Sequence, residues 1–195
     1  SCIEKRPLKN IKVYFDKIFT IHLQDSVPLI NAAKVQSLQI NKINITGKDG
    51  ICILDTGIDY RHSDLGNCAN ISNCNKVVGY DFVNKDNDPL DDNGHGTHVA
   101  GIAAANGMIK GVAPDATIYA YRVLNKQGSG YFSWIISGIE RAVLDDVDII
   151  SLSLGVDCGP FIRNPSSCVP YDSLATAINN AADVGVVSVI AAGND

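Results

Sequence analysis

Ile51-Cys52-Ile53-Leu54 is an unbroken apolar run that stops abruptly at Asp55-Thr56-Gly57. A strand with one wet face alternates apolar and polar side chains. A strand without a polar position has to be covered on both faces, as strands inside a parallel sheet are. Downstream, apolar strand-like stretches at 76–80, 116–124, 148–152 and 184–191 alternate with helical ones. The first helix runs from His95 to about Asn106 and is rich in alanine. The second is capped by Ser133 and carries Ile135, Ile136, Ile139, Ala142 and Val143 at helical spacing. The third covers 172–183. Strand and helix in this order predict a three-layer α/β/α fold with a mostly parallel, doubly wound sheet. Residues 27–38 also read as helical, and 46–50 as a turn.

Active groups in such sheets gather beyond the carboxyl ends of the strands. Asp55, the 125–130 loop, Ser153-Leu154-Gly155 and Asn194 all fall at such ends. Asp55 closes an apolar strand, where a carboxylate is costly unless well bonded; the hydroxyl and amides of Thr56 and Gly57 are the nearest donors. One reading has it accept Nδ1–H from a histidine, and the other makes it the cap of a turn. His95 lies between Gly94 and Gly96, which leave its ring open to approach, as a general base requires. His98, one helical turn on, reads as a packed, hydrogen-bonded histidine rather than a metal ligand. Asn194 follows Gly193 and offers a carboxamide donor for an oxyanion. Gly128, Ser129 and Gly130, with Ser153, Leu154 and Gly155, carry little side chain, so an extended peptide can add there as a strand. Asp81, Asn84, Asp86 and Asp88 form an oxygen-rich loop suited to calcium, though not an EF-hand. Asp91 and Asp92 are read only as local negative potential.

The chain of 195 residues holds one domain, or a domain with a short arm, and residues 1–26 differ in pattern from the rest. The net charge of −5, with no basic block, argues against nucleic acid. No apolar run is long enough to span a membrane. Among the cysteines, Cys52 lies in an apolar strand and reads as a buried thiol. Cys68 with Cys74, and Cys158 with Cys168, bracket short polar loops and allow two local disulfides, which suits an extracellular or cell-envelope location. Zinc is disfavoured because no CxxC pair occurs.

Taken together, Ile53-Leu54-Asp55-Thr56-Gly57-Ile58-Asp59, Asn93-Gly94-His95-Gly96-Thr97-His98-Val99-Ala100-Gly101, Ser151-Leu152-Ser153-Leu154-Gly155 and Ala191-Ala192-Gly193-Asn194 resemble the subtilisin-like serine proteases. The resemblance implies a serine endopeptidase with Asp55 as triad acid, His95 as triad base and Asn194 as oxyanion donor. It makes Ser153, Leu154 and Gly155 a wall of the first specificity pocket, and Gly128, Ser129 and Gly130 the partner of the substrate backbone. It implies structural Ca²⁺ at Asp81, Asn84, Asp86 and Asp88. A further calcium site of the family is matched at Asp64, although its partner loop at 106–110 is short here. Residues 1–26 resemble the tail of an inhibitory prodomain, or else an amino-terminal extension, and 27–195 the amino-terminal portion of the catalytic domain.

The family's nucleophile sits in a Gly-Thr-Ser-Met-Ala stretch after the oxyanion asparagine, and no such stretch occurs in these residues. The sheet is therefore expected to be truncated on its carboxyl-terminal side. The chain is expected to be inactive alone and to pair with the missing segment of the domain or a second chain, besides a peptide or protein substrate. A non-enzymatic module of the same fold is the alternative. An aspartic protease, suggested by Asp55-Thr56-Gly57, would need a second such turn, and none is present.

Overall fold

The computed structural model describes residues 27–37, 50–155 and 170–192. The arm at 1–26, the second cysteine pair and Asn194 lie outside the described residues. Five strands, β1 Gly50–Asp55, β2 Val77–Asp81, β3 Thr117–Arg122, β4 Ile149–Leu152 and β5 Val187–Ile190, form one sheet in the order β2-β3-β1-β4-β5. Every pairing in it is parallel. Among the described residues, α-helices α1 Ala32–Ser37, α2 His95–Ala104, α3 Phe132–Leu144 and α4 Pro170–Asp183 accompany them.

The apolar run of β1 divides as its periodicity demands. Ile53 packs into one core with Ile58, Ile118, Ala100 and Ala104, and so with α2. Cys52 and Leu54 point the other way, into a core with Ile135, Ile139, Ala142 and Ala181 of α3 and α4. The three layers are thus α2, the sheet, and α3 with α4. Having laid β2 and β3 on one side of β1, the chain crosses over α3 to place β4 on the other side. Asp55 therefore ends the strand at which the winding reverses, and in such sheets the crevice opens there.

Local details depart from the sequence reading. Ser133 does not cap α3: Tyr131 occupies the cap position, with no side-chain hydrogen bond. Gly50 belongs to β1 rather than to a turn, and β5 is shorter than expected, at Val187–Ile190. Cys68 and Cys74 are disulfide-bonded, and Cys52 is a buried free thiol whose pKa is pushed up by burial and then by Asp145. Among the described residues β5 pairs with β4 alone, and its Val187, Val189 and Ile190 are half exposed or more. No helix among the described residues is long and apolar enough to cross a membrane.

The carboxyl ends of β1, β3 and β2 lie level, because Arg122 is in register with both Asp55 and Asp81. Buried Arg122 reaches Asp81 at 2.8 Å and takes both oxygens of Asp92 at 2.9 Å. Removing one member of a buried pair strands the other charge. Arg122→Met should cost about 3–5 kcal/mol, read as a lower urea midpoint, and Asp81→Asn combined with it should recover part of that loss.

Candidate active site

Asp55 is fully buried at the end of β1. Its backbone oxygen accepts from Val123 and Leu124, which pins the strand end to β3. Its Oδ1 accepts the Thr56 amide at 2.7 Å and lies 2.8 Å from His95 Nδ1. Oδ2 is buried and has no hydrogen-bond partner among the described residues. Half of the His95 side chain is exposed. With Nδ1 held by a carboxylate, the ring carries its proton there and leaves Nε2 as the basic atom.

The sequence puts His95 at this spot through its neighbours. Gly94 has φ of 106°, a left-handed turn that side chains rarely adopt, and it redirects the chain into α2. Gly96 lets the helix approach the strand, for a Cβ there would lie 2.2 Å from Gly57 O and 3.1 Å from Asp55 Cβ. A helix start leaves amides without intrahelical partners. Here His95 N donates to Asn93 Oδ1, Gly96 N to Thr56 Oγ1 and Thr97 N to Asp91 Oδ2.

Asp91, read from sequence only as negative potential, is a structural node. Its Oδ1 accepts from Thr56 Oγ1, Asn93 N and Gly94 N, and its Oδ2 from Thr97 N and Thr97 Oγ1. Burial alone would raise its pKa. The hydrogen bonds from Gly94, Thr97 and Asn93 outweigh burial and hold it below the usual carboxylate value. The available signal was the Asp91-x-Asn93-Gly94 spacing just ahead of a helix, an Asx-type turn. The Thr56 hydroxyl, expected on Asp55, goes to Asp91 instead, and Asp92 is committed to Arg122.

His95 and Thr56 line a cleft of about 740 Å³ together with Gly128, Ser129, Gly130, Ser153, Leu154 and Gly155. The two glycine-bearing segments are thus brought to the same groove as the imidazole. Asn93 ties the helix start to the nearer segment through Nδ2 to Lys126 O at 2.8 Å. His98 is half-buried, and its Nε2 is buried without a hydrogen-bond partner among the described residues.

The sequence pattern of the Subtilase family matches residues 49–195. The chain belongs to the Subtilase family. Minor extracellular protease Vpr of Bacillus subtilis (strain 168) is 43% identical over 182 residues, covering 88% of this chain and 20% of that protein. Subtilisin E of the same strain is 37% identical over 206 aligned positions, covering 100% of this chain and 49% of that protein. A crystal structure of a cold adapted subtilisin-like serine proteinase superposes with a TM-score of 0.59 at 32% identity, over 74% of this chain and 46% of that one. This subtilase chain therefore spans about half or less of the length of these relatives.

The oxygen-rich loop is built differently from a ready cation cage. Asp81 is buried and accepts Val83 N, Asn84 N and Asn84 Nδ2 besides Arg122. Asp88 Oδ1 takes the Tyr60 hydroxyl, and Asp86 Oδ1 the Asp88 amide. Asp64 is likewise occupied by protein donors, Met108 N, Ile109 N and Ser63 Oγ, so the 106–110 loop folds directly onto its carboxylate. Among the described residues no three His, Cys, Asp or Glu side chains converge as a metal site.

Contact between α2 and β1 sets the His95 geometry, so Gly96→Ala is a sharp probe. It should destabilise the fold by about 1–3 kcal/mol in urea unfolding and lengthen the Asp55–His95 contact in a structure of the variant.

Proposed function

We propose that this chain carries the acid–base half of a serine endopeptidase. In a polypeptide that also carries the family's Gly-Thr-Ser-Met-Ala serine, it hydrolyses peptide bonds through an acyl-enzyme. The observation that carries this reading is the 2.8 Å contact of buried Asp55 with a half-exposed His95 beside a cleft flanked by two glycine-bearing segments. Asp55 holds the Nδ1–H tautomer. Nε2 then takes the serine proton as Oγ attacks the scissile carbonyl, and returns it to the leaving amine. Water resolves the acyl-enzyme with His95 again as base. The Asn194 carboxamide is the proposed donor to the oxyanion. The substrate backbone adds as a strand between 128–130 and 153–155.

The remaining partner is protein. The edge of β5 left unpaired among the described residues, and its apolar side chains, suit a further strand from the rest of the same domain, or from a second chain. An extracellular or cell-envelope location is supported by the Cys68–Cys74 disulfide, since such bonds persist in oxidising compartments. One relative is by name an extracellular protease, although another is named Major intracellular serine protease.

The full-length protein should be inactivated by serine-directed phosphonyl or sulfonyl reagents. Asp55→Asn should lower kcat by about 10⁴-fold while the protein stays folded. A folded, prodomain-free full-length protein that neither reacts nor cleaves would instead favour a non-catalytic binding module.

Calcium is a separate proposal. Asp81 is saturated by protein donors, so the oxygens offered to a cation by the 81–88 loop are those of exposed Asn84, Asp86 and Asp88. The ion would act on stability alone, away from the reacting groups. Calcium at a hundredfold over its Kd should add about 2.7 kcal/mol, seen as a raised melting temperature that a chelator reverses. Asp86→Asn should remove the calcium response, and a melting temperature indifferent to calcium would refute the site.

A further inference from the structure

We propose that Asp91 is a positioning residue for the Asp55–His95 pair, locking the base onto the acid through Thr56 and Thr97. The inference rests on the proteolytic reading above and deepens it.

Three pieces of backbone meet on this one carboxylate, and a fourth joins them through the Thr97 hydroxyl. The first is the end of β1: Thr56 gives its amide to Asp55 Oδ1 and its hydroxyl to Asp91 Oδ1. The second is the turn before α2, through the amides of Asn93 and Gly94. The third is the first turn of α2, through both the amide and the hydroxyl of Thr97. The fourth is the loop after β1, since Thr97 Oγ1 also accepts Asp59 N at 2.9 Å. The Thr56 hydroxyl closes the circuit by accepting Gly96 N at 3.0 Å, one residue after the base. Asp55 and His95 are therefore held by their immediate neighbours as well as by their own bond.

Only a carboxylate fits the node. All five groups pointing at Asp91 are donors, and both oxygens are engaged. A carboxamide has one acceptor oxygen, and its NH2 would have to face either the Thr97 amide or the three donors now on Oδ1. The donors so stranded would be released by a small shift of α2 away from β1, and His95 moves with α2. A displacement near 1 Å at a reacting group costs on the order of 10²-fold in rate. Asp91 is not among the residues lining the cleft, so the walls that grip a peptide have no direct stake in it.

The test uses the full-length enzyme. Asp91→Asn should lower kcat by about 10- to 100-fold with KM within about twofold. Thr97→Val, which deletes the bridging hydroxyl, should act in the same direction, whereas Thr97→Ser, which keeps it, should restore kcat to near the parent value. Each rate is normalised to the folded fraction from circular dichroism. Proton NMR supplies a readout independent of turnover: the far-downfield proton shared by Asp55 and His95 should be present in the parent and in Thr97→Ser, and shifted or lost in Asp91→Asn. An unchanged kcat in folded Asp91→Asn, a rise in KM with kcat intact, or an unmoved downfield proton would overturn the proposal. If the parent enzyme fails to react with a phosphonylating reagent, the proteolytic reading fails by itself, and the NMR comparison still decides the role of Asp91.

Discussion

The structure depends on how a carboxylate can end an apolar strand without water. Asp55 closes β1 in full burial, and a buried charge is tolerated only where donors surround it. One donor, the Thr56 amide, is adjacent in the chain. The other is an imidazole from 40 residues away. Bringing it there requires a helix that begins at His95, a turn before it that can take positive φ, and a surface small enough to sit against the strand. Gly94, Gly96 and the small buried residues of α2 meet those needs. Small side chains are thus a condition for the Asp55–His95 contact, and not merely a filling choice.

A second level of order supports the first. At the edge of the sheet, acidic side chains are used as sockets for protein donors. Asp91 collects the helix start, Asp64 the 106–110 loop, Asp81 the loop after β2. Each replaces what would be unpaired amides with charge-assisted bonds in partly dry surroundings. This is also why the oxygen-rich loop is not a simple cation cage: Arg122 already supplies the positive charge at its base. The cleft is tied to one of these sockets, since Asp91 accepts the Asn93 amide and Asn93 in turn links the helix start to the 125–130 loop.

Fold and site were unequally legible. The βαβ rhythm, the parallel sheet and the all-apolar centre strand followed from periodicity, because burial on one or both faces leaves a direct trace in spacing. The grouping of Asp55, His95 and the two glycine-bearing segments followed from their positions at strand ends together with family resemblance. Ser133 misled because a serine before an apolar stripe fits capping chemistry, while the helix starts one residue earlier with no side-chain cap. The spacing that packs the His98 ring says nothing of what faces its nitrogens, and Nε2 meets no partner among the described residues.

The amino-acid order alone determined the succession of strands and helices, since their patterns depend on neighbours a few positions apart. Tertiary structure alone decided what Asp81, Asp91 and Asp92 hold, and it brought His95 to the acid that the resemblance had singled out. Asp55, Asp81, Asp91 and Asp92 look alike in sequence, each a carboxylate near a turn. They differ in the partners that arrive from 30 or more residues away: His95 for the first, Arg122 for the second and fourth, and Thr56 for the third. A carboxylate's role is set by the donors around it, and those are assembled only when the sheet and helices close.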